Sequence, residues 1–348
     1  MTLPSFERLR DELGALAVPA GDARQLIWVV DGVLGAAMTA SGAFEIFLAG
    51  PPLQATSPLV AGNLVHDRWE PSAGGASFEA SRVLLGSAAH FAAVAALIAT
   101  ELGRLNLADA EAVQRAFSEV EPIIELAIRR ATLSNEAILG LIAELHVLRV
   151  ALIAVPAARR PTSLLSWRGW APGRDFQFGP QGIEVKATLG STSRHAFSGI
   201  HQLEARQLDD GSTEALHLLS IGLEAVDTGG FSLPELVDDL LSLLPGDSMS
   251  PPQAQFLSMI ASYCGGGAPS YEHDAMRGWH LYQQRYAITF ARLFDVGDPE
   301  MRLLDRSLVE QTFAVADSLT FELALPSLLS SFNPAADWQH EVASMERA

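Results

Sequence analysis

Sixteen consecutive residues, DFQFGPQGIEVKATLG from Asp175 to Gly190, constrain the fold more than any other stretch of the 348-residue chain. Side chains along a strand point alternately to opposite faces. A four-residue loop, Gly179-Pro-Gln-Gly182, predicts a hairpin with Phe178 opposite Ile183, Phe176 opposite Val185, Gln177 opposite Glu184 and Asp175 opposite Lys186. Phe176, Phe178, Ile183 and Val185 then share an apolar face. Asp175, Gln177, Glu184 and Lys186 share the polar one. A chain with this segment is expected to contain a sheet buried on one face.

The flanking pattern, from Leu133 onward, reads helix, hairpin, helix, strand, helix. Ser134 is placed as an N-cap with Glu136 in the first turn. The helix that follows carries Ile138, Leu141, Leu145 and Leu148 on one stripe, with Glu144 beside it. EALHLLSIGLEAV reads as an apolar strand, and Ser232-Leu-Pro-Glu235 as a capping box opening ELVDDLLSLL. Upstream, RQLIWVV, GVLGAAMTA and AFEIFLAG read as strands separated by Asp31-Gly32, Ser41-Gly42 and Pro51-Pro52. Helical periodicity covers Arg82 to Leu105 and Ala108 to Ala131. GDSMSPP and CGGGAPS break the C-terminal part into mixed structure. The expected organisation is a β-rich region with helices over 1–131, an α/β core over 132–245 and an accessory region over 246–348.

Hydrophobic residues at 49% and charged residues at 18% exclude a disordered chain. The single cysteine, Cys264, excludes an intrachain disulfide and a cysteine-rich zinc site, and fits a reducing cytosol. The opening residues lack the apolar core of a signal peptide. The apolar run LLGSAAHFAAVAALIATELG is alanine-rich and holds His90, so it is read as a buried helix; no membrane is expected as a partner, and the location is expected to be cytoplasmic. Net charge is −18, which on its own disfavours nucleic acid. The charge is uneven, however. Arg129 to Arg206 carries ten basic and five acidic residues, while the rest of the chain carries 13 basic and 36 acidic.

The polar face of the hairpin is unusual chemistry for a short apolar segment. Two close carboxylates repel and call for a proton or a cation. A hard divalent ion such as Mg²⁺ answers this with one or two carboxylates, waters and a substrate phosphate. It can activate water against a phosphodiester, with the lysine orienting that water. Lys186 is the one lysine among 23 basic residues. Either the site needs a compact ammonium where a guanidinium would not serve, or a genome poor in lysine codons left one by chance. Glu144 offers a third carboxylate if its helix packs on the hairpin, and is otherwise a solvated helix-edge glutamate.

The order Glu on a helix, Asp on a strand and Glu-x-Lys on the next strand resembles the PD-(D/E)XK nuclease superfamily. LSNEAILGLIAELHVL, Trp167 to Phe178 with its DF-x-F, IEVKAT and SRHAFSGIHQL are together similar to the bacterial group known as PD-(D/E)XK motif proteins, often met beside restriction-modification or phage-defence genes. The resemblance runs through most of the chain and implies a restriction-endonuclease-like α/β/α core with a mixed sheet. It implies a metal-dependent DNA endonuclease using Mg²⁺ or Mn²⁺, with Asp175, Glu184 and Glu144 as metal ligands, Lys186 as the catalytic lysine and Gln202 as a support on the following helix. The literal Pro-Asp pair is missing, because Gly173-Arg174 precedes Asp175. Double-stranded DNA, a partner ATPase or methyltransferase of a defence operon, and a homodimer are the partners the resemblance implies. The alternative is a non-catalytic DNA-binding or scaffolding subunit of a defence complex.

Arg168, Arg174, Arg194 and His195 are the candidate DNA contacts, with His201 beside them; ordinary surface roles remain open for the residues after the Glu-x-Lys strand. Arg159 and Arg160 with Trp167 and Trp170 suit strand binding or simple packing. His273 and His280 lie at no recognised zinc spacing. Cys264 has no basic partner in sequence and reads as an incidental thiol. The chain carries no P-loop and no nucleophile-elbow motif, so ATP hydrolysis is not expected of it.

Overall fold

The computed structural model describes all residues except 1–2, 21–22, 41, 71–76, 87–89, 170–172, 209, 247–249 and 265–270. Trp170, Ser41 and parts of both C-terminal turn segments therefore lie outside the described residues. The chain folds as two compact units, one of residues 1–133 with 274–281 and one of 134–273 with 282–348.

The first unit is built on an antiparallel sheet of β1 (Gln25–Val30), β2 (Leu34–Met38), β3 (Phe44–Ala49), β4 (Leu64–Trp69) and β5 (Phe78–Leu84), in the order β1-β2-β3-β5-β4. The three strands read from the sequence are β1 to β3. One face, including Leu34, Ala36, Phe44, Ile46 and Leu48, packs with Ala95, Ala99 and Leu102 of the Phe91–Arg104 helix. That helix begins at Phe91, whereas helical periodicity had placed its start at Arg82. Arg82 to Leu84 instead complete β5 and pair with Glu45 to Phe47 of β3, so cross-strand pairing overrides the local pattern.

The second unit holds a mixed sheet of β6 (Phe176–Phe178), β7 (Gln181–Thr188), β9 (Ala215–Val226) and β10 (Arg285–Asp295), in the order β10-β9-β7-β6. Strands β7 and β9 are parallel, and the outer pairs are antiparallel. A two-stranded sheet of β8 (Ser193–Ser198) and β11 (Thr320–Leu325) accompanies it. The Asn135–Ala154 helix packs on β7, and the Leu233–Leu243 and Trp338–Arg347 helices pack on that helix. Ser232 and Glu235 form the expected capping box. This is the α/β fold with a mixed sheet that the resemblance implied. Beyond residue 245, β10 hydrogen-bonds along β9 and forms an outer strand of this sheet.

Two local expectations are corrected. The hairpin pairs Phe176 with Ile183 and Phe178 with Gln181, so its turn is the two residues Gly179-Pro180. Gly179 takes φ +53 and proline fixes a negative φ, the combination of a type II′ hairpin turn. The 135–154 helix is buried on more than the one stripe: Leu139, Ile142, Ala143, Glu144 and Val147 are also inside. A helix that is apolar all round belongs in an interior. By length and composition it would also suit a membrane span.

Arg174 is buried, which contradicts its expected contact with DNA. Its Nε and Nη2 donate to Glu214 Oε2 at 3.1 and 2.8 Å, and Nη1 donates to the Gln202 and His201 carbonyls at 2.9 and 3.2 Å. It also donates to the Glu204 carbonyl. Arg206 completes the pair by donating to Glu214 Oε1. Gly182 of β7 is pressed against this carboxylate; a Cβ there would lie 2.3 Å from Glu214 Oε1. Arg174 thus pins the start of the hairpin to the turn after β8. Replacing Arg174 with Met leaves Glu214 with a buried, partly compensated charge and is expected to cost about 3–5 kcal/mol in urea unfolding; a loss below about 1 kcal/mol would refute the anchoring role.

Candidate active site

Glu144 sits at the middle of the 135–154 helix and is only 5% exposed. Trp167 Nε1 donates to its Oε2 at 2.7 Å, and the Tyr263 hydroxyl donates to its Oε1 at 2.6 Å. Burial pushes the carboxyl up to about 7; the bonds from Tyr263 and Trp167 oppose this, Glu184 adds to it and Lys186 opposes it. Its helix packs on β7, so Glu144 lies inside beside the hairpin and is not a solvated helix-edge glutamate. Both of its oxygens are engaged by donors, and it is held as a buried, protonatable group.

The hairpin brings the other three residues together. Asp175 lies one step beyond the Phe176–Ile183 pair, and its Oδ2 accepts from the Val185 N–H at 2.6 Å. Its pKa is pushed well above the ordinary carboxylate range, first by burial and then by Glu144 and Glu184. The observed register brings Asp175 toward Glu184 instead of opposite Lys186. The lysine pairs within its own strand, with Nζ 2.8 Å from Glu184 Oε1. The same ammonium lies 5.2 Å from the centroid of the Phe197 ring.

Among the described residues, no group of three or more His, Cys, Asp or Glu side chains is arranged to hold a metal ion. Glu144, Asp175 and Glu184 nevertheless lie close enough to act on one another's protonation. Asp175 and Glu184 are neighbours in this set, and Asp175 is raised by burial first, then by Glu144 and Glu184. A pair of oxygen donors that repel suits a hard cation that keeps several of its waters, as Mg²⁺ does.

Strand β8 forms the wall over Lys186. Its inward residues Ser193, His195 and Phe197 are buried, and Lys186 and Ser220 are register partners on the sheet face they cover. His195 Nε2 pairs with Ser220 Oγ at 2.7 Å. Burial, then Lys186, lowers the His195 pKa to about 4, so the ring is neutral at physiological pH. A buried neutral histidine does not present charge to phosphate, which corrects its expected role. Arg194 is exposed and paired with Glu322 at 3.3 Å. Arg168 is exposed, and its backbone N–H donates to the Asp175 carbonyl at 2.8 Å, so it flanks the site.

Gln202 lies in a short 3-10 turn, Ile200–Gln202, and not on a helix. Its Oε1 is buried without a hydrogen-bond partner, and its carbonyl accepts from Arg174. His201 is exposed, as is Arg159, while Arg160 donates to the Leu152 and Leu243 carbonyls. Trp167 is a packed residue with one polar duty, its bond to Glu144. His273 joins Asp238 at 3.0 Å and Tyr271 at 2.9 Å, a structural relay. Cys264 is half-buried, and burial followed by Glu144 raises its thiol pKa, against a nucleophilic role. Tyr263 and Ser220 were not singled out from sequence. Tyr263 lies 119 residues from Glu144 beside a glycine run, and nothing local marks it.

The mixed sheet with its packed helices is consistent with a PD-(D/E)XK-like α/β fold. The profile of the family described as "Putative PD-(D/E)XK family member, (DUF4420)" matches residues 81–298, and the chain belongs to that family. No curated protein and no solved structure matches the chain.

The raised Glu144 has a consequence for stability. Its folded value of about 7 exceeds the ordinary 4.5, so the folded state holds a proton that the unfolded chain releases. Stability from this group is present at pH below 4.5 and is lost as pH rises to about 7. Urea unfolding at pH 5 and 8 is expected to show wild type losing about 2 kcal/mol more than Glu144→Gln over this interval. Equal pH dependence of the two proteins would contradict the assignment.

Proposed function

We propose that this protein is a metal-dependent nuclease that hydrolyses phosphodiester bonds of double-stranded DNA with Mg²⁺ or Mn²⁺. The observation that carries the reading is the Lys186 ammonium bound to Glu184 on the strand that also anchors Asp175. PD-(D/E)XK proteins are in general nucleases, which supports the same reaction class. Asp175 and Glu184 would hold the cation, which supplies a Lewis acid and an activated water when bound. Lys186 donates to the attacking water or to the phosphate oxygen on which charge develops. Glu144, fixed by Trp167 and Tyr263, holds or releases a proton near neutral pH behind these groups. Arg168 and Arg194, both exposed, supply phosphate contacts.

The uneven charge supports dependence on a partner for targeting. A body this acidic weakens non-specific attraction to DNA, while the segment from Arg129 to Arg206 is basic. We place the protein in the cytoplasm, in a restriction-modification or phage-defence system with an ATPase or methyltransferase partner, as a monomer or homodimer. The resemblance supports that setting.

Incubation of supercoiled plasmid with the protein and Mg²⁺ or Mn²⁺ tests the reaction. Wild type is expected to nick or linearise it. Glu184→Ala and Lys186→Met are each expected to lower the rate at least about 100-fold. Equal cleavage by all three proteins would overturn the reading.

A further inference from the structure

We propose that Lys186 is the resident counter-cation of Glu184 and that a divalent metal ion binds this site by exchange with it. The inference rests on the proposed metal-dependent reaction and concerns how its site is charged. Glu184 is buried, at 5% side-chain exposure, and a carboxylate so placed requires a positive partner. The described partner is the Lys186 ammonium at 2.8 Å, with the carboxyls of Asp175 and Glu144, both raised by burial, nearby.

The two members of the pair differ in their freedom to move. Glu184 is fixed in the interior, whereas the Lys186 side chain is 22% exposed on a flexible four-carbon stem. The lysine also has a second favourable contact. Its Nζ lies 5.2 Å from the Phe197 ring centroid, where a cation retains attraction to the aromatic face after leaving the carboxylate. His195, neutral beside it, does not repel the ammonium there. With a divalent ion held by Asp175 and Glu184, Glu184 would no longer need Lys186 for neutralisation. The released ammonium becomes available to the attacking water. One residue thereby preserves the metal-free site and serves the metal-loaded one.

Because Lys186 is the single lysine of the chain, lysine-selective ¹³C labelling yields one side-chain signal. The test is titration of labelled full-length wild type with Mg²⁺, with calorimetry of Mg²⁺ binding to wild type and Lys186→Met in parallel. Exchange is expected to shift the Lys186 ¹³Cε signal in step with Mg²⁺ occupancy, and to do so no longer in Glu184→Gln. Lys186→Met is expected to bind Mg²⁺ roughly tenfold more tightly than wild type, since the competing charge is gone. If Lys186→Met does not fold, the labelled wild-type titration decides alone. A Lys186 signal that stays fixed while calorimetry shows Mg²⁺ bound would overturn exchange and leave the metal site standing. Failure of wild type to bind Mg²⁺ at all would overturn both.

Discussion

The structure of the second unit depends on one constraint: it buries carboxylates. Glu144, Glu184 and Glu214 are all inside, and Asp175 is half-buried among them. An ionised carboxylate in such surroundings is strongly unfavourable without donors or a cation. Each has been given different compensation. Glu214 has Arg174 and Arg206, Glu184 has Lys186, Asp175 has the Val185 N–H, and Glu144 has an indole and a phenol. The choice of partner separates structure from chemistry. A permanently charged arginine fork bound to carboxylate and carbonyls makes a fixed anchor. A lysine with one carboxylate contact and an aromatic neighbour is mobile by comparison.

That distinction explains why the basic residues of the hairpin region divide as they do. Arg174 immediately precedes Asp175 yet spends its donors on Glu214 and the turn after β8, so it positions the hairpin. Lys186 faces the candidate site directly. The side chains behind it are uncharged: His195 is neutral, as are Ser220 and Phe197, while Arg292, the register partner of Ser220, donates to Ser193. The site lies within the one basic segment of an acidic chain.

Much of this was legible in the sequence, and the failures have physical causes. The two faces of the hairpin were read correctly although its register was not. Closing the turn by two residues moves the pairing without changing which face each side chain occupies; a one-residue slip would have exchanged them. The tight turn was hidden because Gly182, read as a loop residue, is a strand residue kept small by Glu214. Glu144 was placed at a helix edge because a single apolar stripe was assumed, whereas the helix is packed nearly all round. Its clamp was not legible, since Tyr263 arrives from 119 residues away with no periodic signal. Strand β10 was missed for a related reason: antiparallel addition to β9 is a long-range pairing that local pattern does not encode.

We propose that Asp175 and Glu184, with Lys186 beside them and Glu144 bonded to Trp167 and Tyr263, form a divalent-cation site. Anomalous diffraction from crystals of the protein grown with Mn²⁺ tests it most directly. A manganese peak coordinated by the Asp175 and Glu184 carboxylates is expected, with Glu144 still bonded to Trp167 and Tyr263. Manganese bound directly to Glu144, or bound only at a site remote from Asp175 and Glu184, would contradict it.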